Sequence, residues 1–237
     1  KNSRINTPKL TSAIIDRNQT RAQLMAHFCE PRCHLELAFL APRARAGSPA
    51  LGMKRPDLVF VYLNFATTSP AEFIREISAA APNAKLILFI EGCREYLVHL
   101  VSASFYNGLL CVGEATLDEL GRIIENIVQQ GIRFVSPTIM NCLNGLRADA
   151  DSFPKLLTKT QMSVLICISH SLSDEEIAAR LHCSPGTVLS HRREIMRKLN
   201  IHATPKLIRY GIEKGFDAVP LPTVDRIRSV QRTEEPQ

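Results

Sequence analysis

The chain has 237 residues, 45% of them hydrophobic, and a net charge of +6. That length fits one large domain or two small ones, with enough apolar material for a real core. The longest apolar runs, 58–63 and 86–90, are far too short to cross a membrane; no signal-peptide pattern opens the chain, and seven cysteines without a regular framework suit reduced thiols in the cytoplasm.

From about residue 10 to 130, short β-rich runs alternate with amphipathic stretches. The runs lie at 12–16, 34–40, 57–63, 85–90 and 108–112, and helices are predicted over 18–28, 69–81, 93–103 and 116–130. Between the second and third runs, Pro42, Gly47, Pro49 and Gly52 predict a loop or a distorted helix. Five apolar strands alternating with helices imply parallel βαβ units in a doubly wound α/β sheet, buried on both faces. The segment 131–156, rich in Pro, Asn, Gly and Asp, is expected to be a linker with a short helix near 138–146. The polar tail 217–237 is expected to be mobile.

From 157 to 216 the β signal disappears and an all-α domain is predicted. Thr158 with Gln161 and Ser173 with Glu176 have capping-box spacing; Ser184-Pro185 and Thr204-Pro205 put an oxygen acceptor before a first-turn proline. These signals specify four short helices. Their apolar positions agree: Val164, Leu165 and Ile168 in the first, Ile177, Ala178 and Leu181 in the second, Val188, Ile195 and Leu199 in the third. The other side of the third helix carries Leu189, Ser190, Arg193 and Arg197, flanked by Arg192 and Lys198. Its four cations against Glu194 form a cationic face of the kind that DNA phosphates attract through counterion release. Residues near the helix start are the ones placed to reach base edges in a major groove.

The pieces Leu157-Thr158, Val164-Leu165, Glu176-Ile177-Ala178, Leu181, Ser184, Thr187-Val188, His191-Arg192, Ile195, Lys198-Leu199 and Leu207 make this region resemble the LuxR-type helix-turn-helix from end to end. The resemblance implies double-stranded DNA as partner and a contact set of Ser173, Thr187, Val188, Leu189, Ser190, His191, Arg192, Arg193, Arg197 and Lys198. Within it, Thr187 and Lys198 are expected on phosphates and Leu189, Ser190 and Arg193 at bases. Arg193 suits the O6/N7 edge of guanine, and Leu189 suits a thymine methyl. The family's usual lysine at Leu189 and charged residue at Gly186 are missing, which implies a different operator preference. A homodimer through the last helix is implied, with Leu207, Ile208 and Gly211 as candidate contacts, the alternative being that they pack on the domain's own core.

Upstream, Ile14-Ile15-Asp16, Pro56-Asp57-Leu58-Val59, Leu63-Asn64, Gly108, Glu119-Leu120 and Val135-Ser136-Pro137 resemble the receiver of NarL/FixJ-type response regulators. Such receivers phosphorylate a strand-end aspartate with the help of Mg²⁺ held by carboxylates. Here the acceptor position is Tyr62, and a phenol forms no acyl phosphate. Asp16 is followed by Arg17 in place of a second acid, the hydroxyl position is Ile90 and the lysine position is Val112. A receiver-like domain without aspartyl phosphorylation, metal or cofactor is therefore expected. Dimerisation, a partner regulatory protein, or a ligand or redox signal remain as its roles. His27, Cys29, Cys33 and His34 are metal-ligand types, but their spacing matches no zinc motif, and redox sensing by Cys29 and Cys33 is an equally weak alternative. No nucleophile-and-base set is legible, so an enzyme is not expected.

Overall fold

The structure, a computed structural model, describes residues 9–32, 35–42, 44–63 and 69–222. The predicted tail beyond 222, together with Cys33, His34 and Asn64, lies outside the described residues. By contact clustering the chain divides into two units. Of the described residues, those up to 63, 70–93 and 102–140 make the first; 69, 94–101 and 141–222 make the second.

The first unit is built on β1 (Leu10–Ile15), α1 (Gln19–Arg32), β2 (Leu35–Ala41), α2 (Ala44–Lys54), β3 (Leu58–Leu63), α3 (Pro70–Ala80), β4 (Lys85–Ile90), β5 (Gly108–Cys111), α5 (Leu117–Gln130) and β6 (Phe134–Val135), with α4 (Glu95–Ser102) connecting β4 to β5 in the chain. Its sheet is all parallel in the order β2-β1-β3-β4-β5-β6. Six strands replace the five that were predicted. The extra one is a two-residue edge strand inside the expected linker, paired Gly108 to Phe134 and Leu109 to Val135. Two residues are too few to show an alternating pattern.

The expected loop or distorted helix at 42–52 is α2, a helix with Pro49 inside it and Leu51 wholly buried. The central strands are apolar because both faces are covered: Leu58, Val59, Phe60 and Val61 of β3 and Leu86 to Ile90 of β4 are all buried. α5 opens on a Thr116–Glu119 capping box and closes at Gly131, whose φ of 67° is the left-handed turn that glycine adopts without a Cβ penalty.

The second unit is helical. After α6 (Pro137–Ala148) come α7 (Phe153–Leu156), α8 (Lys159–Ser169), α9 (Asp174–Leu181), α10 (Pro185–Lys198) and α11 (Thr204–Lys214), then a 3-10 turn at Phe216–Ala218. Thr158 caps α8 and Ser173 caps α9 in capping boxes. Thr204, expected as a cap, is itself the first residue of α11, and Ala203 holds the N-cap with no side-chain bond. Val164, Leu165, Ile168, Ile177, Val188, Ile195 and Leu207 form the core. An aromatic group extends it, with Tyr96 of α4 stacked on Phe216 at 4.0 Å and Phe153 edge-on to Phe216 at 5.2 Å.

Candidate DNA interface and strand-end site

The start of α10 is set by Ser184, whose hydroxyl accepts the Thr187 N–H at 3.1 Å, with Pro185 in the first turn. From that start the helical repeat turns Val188 and Ile195 inward, both wholly buried. Val188 therefore belongs to the core and leaves the expected DNA-contact set. Leu189, Ser190, Arg193 and Arg197 all lie on the exposed side, and Leu189 is 38% exposed although it is a large apolar residue.

The two flanking cations have internal partners. Arg192 donates its Nε to Asp174 Oδ1 at 3.0 Å and its Nη2 to the same oxygen, tying α10 to α9. Lys198 donates to the Leu156 carbonyl and to Gln161 Oε1, both at 2.8 Å, tying the end of α10 to α7 and α8. Glu194 accepts from Gln161 Nε2 at 2.8 Å. The expected cationic face thus reduces to Arg193 and Arg197. The pairings of Arg192 and Lys198 join residues 18, 42 and 37 positions apart, so no local spacing announces them.

Thr187 is exposed, with its hydroxyl 2.9 Å from that of Ser184. Ser173 is exposed at the start of α9, where its hydroxyl accepts the Glu176 N–H at 3.2 Å and its own N–H donates to Glu176 at 2.7 Å. His191 is half-buried. On α11, Leu207 is wholly buried, and a Cβ at Gly211 would lie 1.9 Å from Ser169 Oγ of α8. Those two are committed to the unit's own core. Of the three expected dimer contacts only Ile208, half-buried, retains accessible surface, and Ile212 on the same helix is 46% exposed.

In the first unit the strand ends bring the receiver positions together. Asp16 is 2% exposed. Its Oδ1 accepts from the Asn18 N–H at 2.8 Å and from Arg21 Nη2 at 2.8 Å, and its Oδ2 accepts from Arg21 Nε at 2.6 Å. The bonded carboxylate raises the Arg21 pKa further. The cation beside Asp16 is therefore Arg21, not the exposed Arg17. The sequence reading passed over Arg21. Its signal is Asn18, whose side chain accepts the Arg21 N–H at 3.0 Å, starts α1 there and brings the fifth residue after Asp16 back onto it.

Arg21 also lies 4.2 Å from the ring centroid of Tyr62, which stacks on Phe89 at 4.8 Å. Burial pushes the Tyr62 phenol up to about 12, against a smaller opposing pull from Arg21, so it is protonated at neutral pH. Ile90 is wholly buried and Val112 is 36% exposed. These residues do not fit Mg²⁺: both oxygens of Asp16 are engaged, and a guanidinium occupies the charge position that the ion would need. Cys29 is buried in α1.

Comparisons with known proteins agree with this layout. Residues 155–211 match the family model described as bacterial regulatory proteins, luxR family. The transcriptional regulatory protein MctR of Rhizobium johnstonii is 27% identical over 212 residues, covering 88% of this chain and 96% of that protein. A nitrate/nitrite response regulator protein homolog of Haemophilus influenzae is 32% identical over 151 residues, covering 62% of this chain and 70% of that protein. RcsB from Salmonella enterica serovar Typhimurium, solved bound to promoter P1flhDC, has the same fold, with a TM-score of 0.60 at 17% identity over 85% of this chain and 97% of that one.

Proposed function

Because the chain belongs to the transcriptional response regulators with a luxR-family DNA-binding domain, we propose that it binds DNA as a homodimer in the cytoplasm and works without aspartyl phosphorylation. The observation that carries the DNA contact is the two-sidedness of α10: Val188 and Ile195 are locked inward while Leu189, Ser190, Arg193 and Arg197 face solvent. An exposed guanidinium and a small hydroxyl near a helix start can reach base edges, and Arg197 further along is placed for phosphate. The exposed hydroxyls of Thr187 and Ser173 supply further candidate phosphate contacts. Ile208 and Ile212 offer the accessible apolar surface of α11 for a symmetric contact.

Independence from phosphorylation is supported by Tyr62 at the acceptor position and by the Arg21 clamp on Asp16. A phenol at the acceptor position forms no acyl phosphate, and both oxygens of the buried Asp16 carboxylate are already bonded. Incubation with acetyl phosphate and Mg²⁺ followed by intact mass is expected to return the unmodified chain, and a stoichiometric phosphoryl adduct overturns this part. Genomic footprinting is expected to yield short inverted repeats protected in a salt-sensitive manner. Absence of salt-sensitive retention on any fragment overturns the DNA contact.

A further inference from the structure

The sheet order β2-β1-β3-β4-β5-β6 reverses direction at β1, since the chain first steps outward to β2 and then crosses to β3 on the other side. In open α/β sheets the crevice beyond the strand carboxyl ends at such a reversal is where ligands sit. A cavity of about 450 Å³ lies beside that crevice in the first unit, between α1 and α5, and is lined also by Tyr62 of β3, Phe89 of β4 and residues of β5. Its volume is within the range of small-molecule sites. Met25, Phe89, Leu110 and Leu120 give it an apolar lining, and Arg21 and Tyr62 supply its donors.

The lining specifies a ligand chemistry. The Tyr62 ring stacks on Phe89 at 4.8 Å and has the Arg21 guanidinium 4.2 Å from its centroid, planar groups against which a flat molecule packs well. Asp16 engages one N–H each of Arg21 Nε and Nη2, out of the five that a guanidinium carries. Glu91 stands 3.7 Å from Nη1, beyond hydrogen-bond distance, and is 79% exposed. Arg21 lines the cavity with N–H groups that Asp16 does not engage, so a ligand acceptor can pair with them. The positive charge is already balanced by a buried carboxylate, so an anionic ligand would meet no net attraction and would lose its hydration.

We infer that this cavity binds an uncharged, planar aromatic molecule that carries a carbonyl-type acceptor, held by the Arg21 N–H groups and the Tyr62 hydroxyl. The test uses full-length protein and prodan, a neutral naphthyl ketone whose emission shifts to the blue on leaving water. The expected result is saturable one-to-one binding, with amide shifts confined to residues 18–29, 60–63, 86–91 and 108–120. The anion 1-anilinonaphthalene-8-sulfonate is expected to bind at least tenfold more weakly at that site.

Ala115→Trp, which fills the half-buried rim, is expected to lower prodan affinity at least tenfold, and Val112→Trp at the exposed rim provides a second block should the first not fold. Non-saturable binding, shifts elsewhere, equal affinity for the anion, or a folded blocking variant that binds as before would each overturn the inference. None of these readouts involves DNA, so they stand or fall separately from the regulator reading.

Discussion

Arg192 and Arg193 are neighbours in sequence with opposite expected roles. The Arg192 side chain is 12% exposed and bonded to Asp174, whereas Arg193 is exposed. Arg192→Ala is expected to cost stability of about 1–2 kcal/mol, between the values for exposed and buried pairs, read by denaturant unfolding. Arg193→Ala is expected to leave stability nearly unchanged and to weaken operator binding about five- to 150-fold per half-site, read by anisotropy titration. A reversed pattern would remove Arg193 from the interface. Gly211 is a second residue whose role local pattern does not reveal. An added Cβ would meet Ser169 Oγ at 1.9 Å and Ser169 Cβ at 3.1 Å, so Gly211→Ala is expected to destabilise by about 1–3 kcal/mol through overpacking. Ser169→Ala in the same chain should recover part of that loss in a double-mutant cycle. The resemblance to the LuxR-type domain implied that Leu207 and Gly211 lie at a dimer surface, but an apolar position on a helix does not say what covers it. Here the cover is α8 of the same chain.

At the scale of elements, the signals that were legible are those written in contiguous residues. The capping boxes at Thr158 and Ser173 and the Ser184-Pro185 start each appear in the structure as side-chain caps. β1, β3, β4 and β5 also stand out as apolar runs. What stayed hidden depends on distant partners: β6 exists because Phe134 and Val135 find the free edge of β5, and α2 survives Pro49 with Leu51 buried beneath it. The capping reading has a direct consequence. Ser184 satisfies the Thr187 N–H, so Ser184→Ala is expected to cost about 1 kcal/mol and Ser184→Gly only a few tenths. The shift should appear in the denaturation midpoint at constant slope. Equal losses for the two variants would mean that the hydroxyl does more than cap the helix.

For the whole molecule, net charge is a poor guide to the DNA contact. The chain carries +6, yet on α10 the internal partners of Arg192, Lys198 and Glu194 leave two exposed guanidiniums, Arg193 and Arg197. The salt dependence of binding should therefore be carried by few residues, and it can count protomers. Each phosphate contact contributes about 0.9 to the slope of log affinity against log salt. If Arg197 neutralises one phosphate in each half of a symmetric complex, Arg197→Ala is expected to lower the slope by about 1.8. A monomer would show half that change. Arg193, directed at bases, is expected to relax discrimination between operator sequences while leaving the slope nearly unaltered. A slope change near 0.9 for Arg197→Ala, or a large one for Arg193→Ala, would mean that the complex is not dimeric or that the two arginines have exchanged roles.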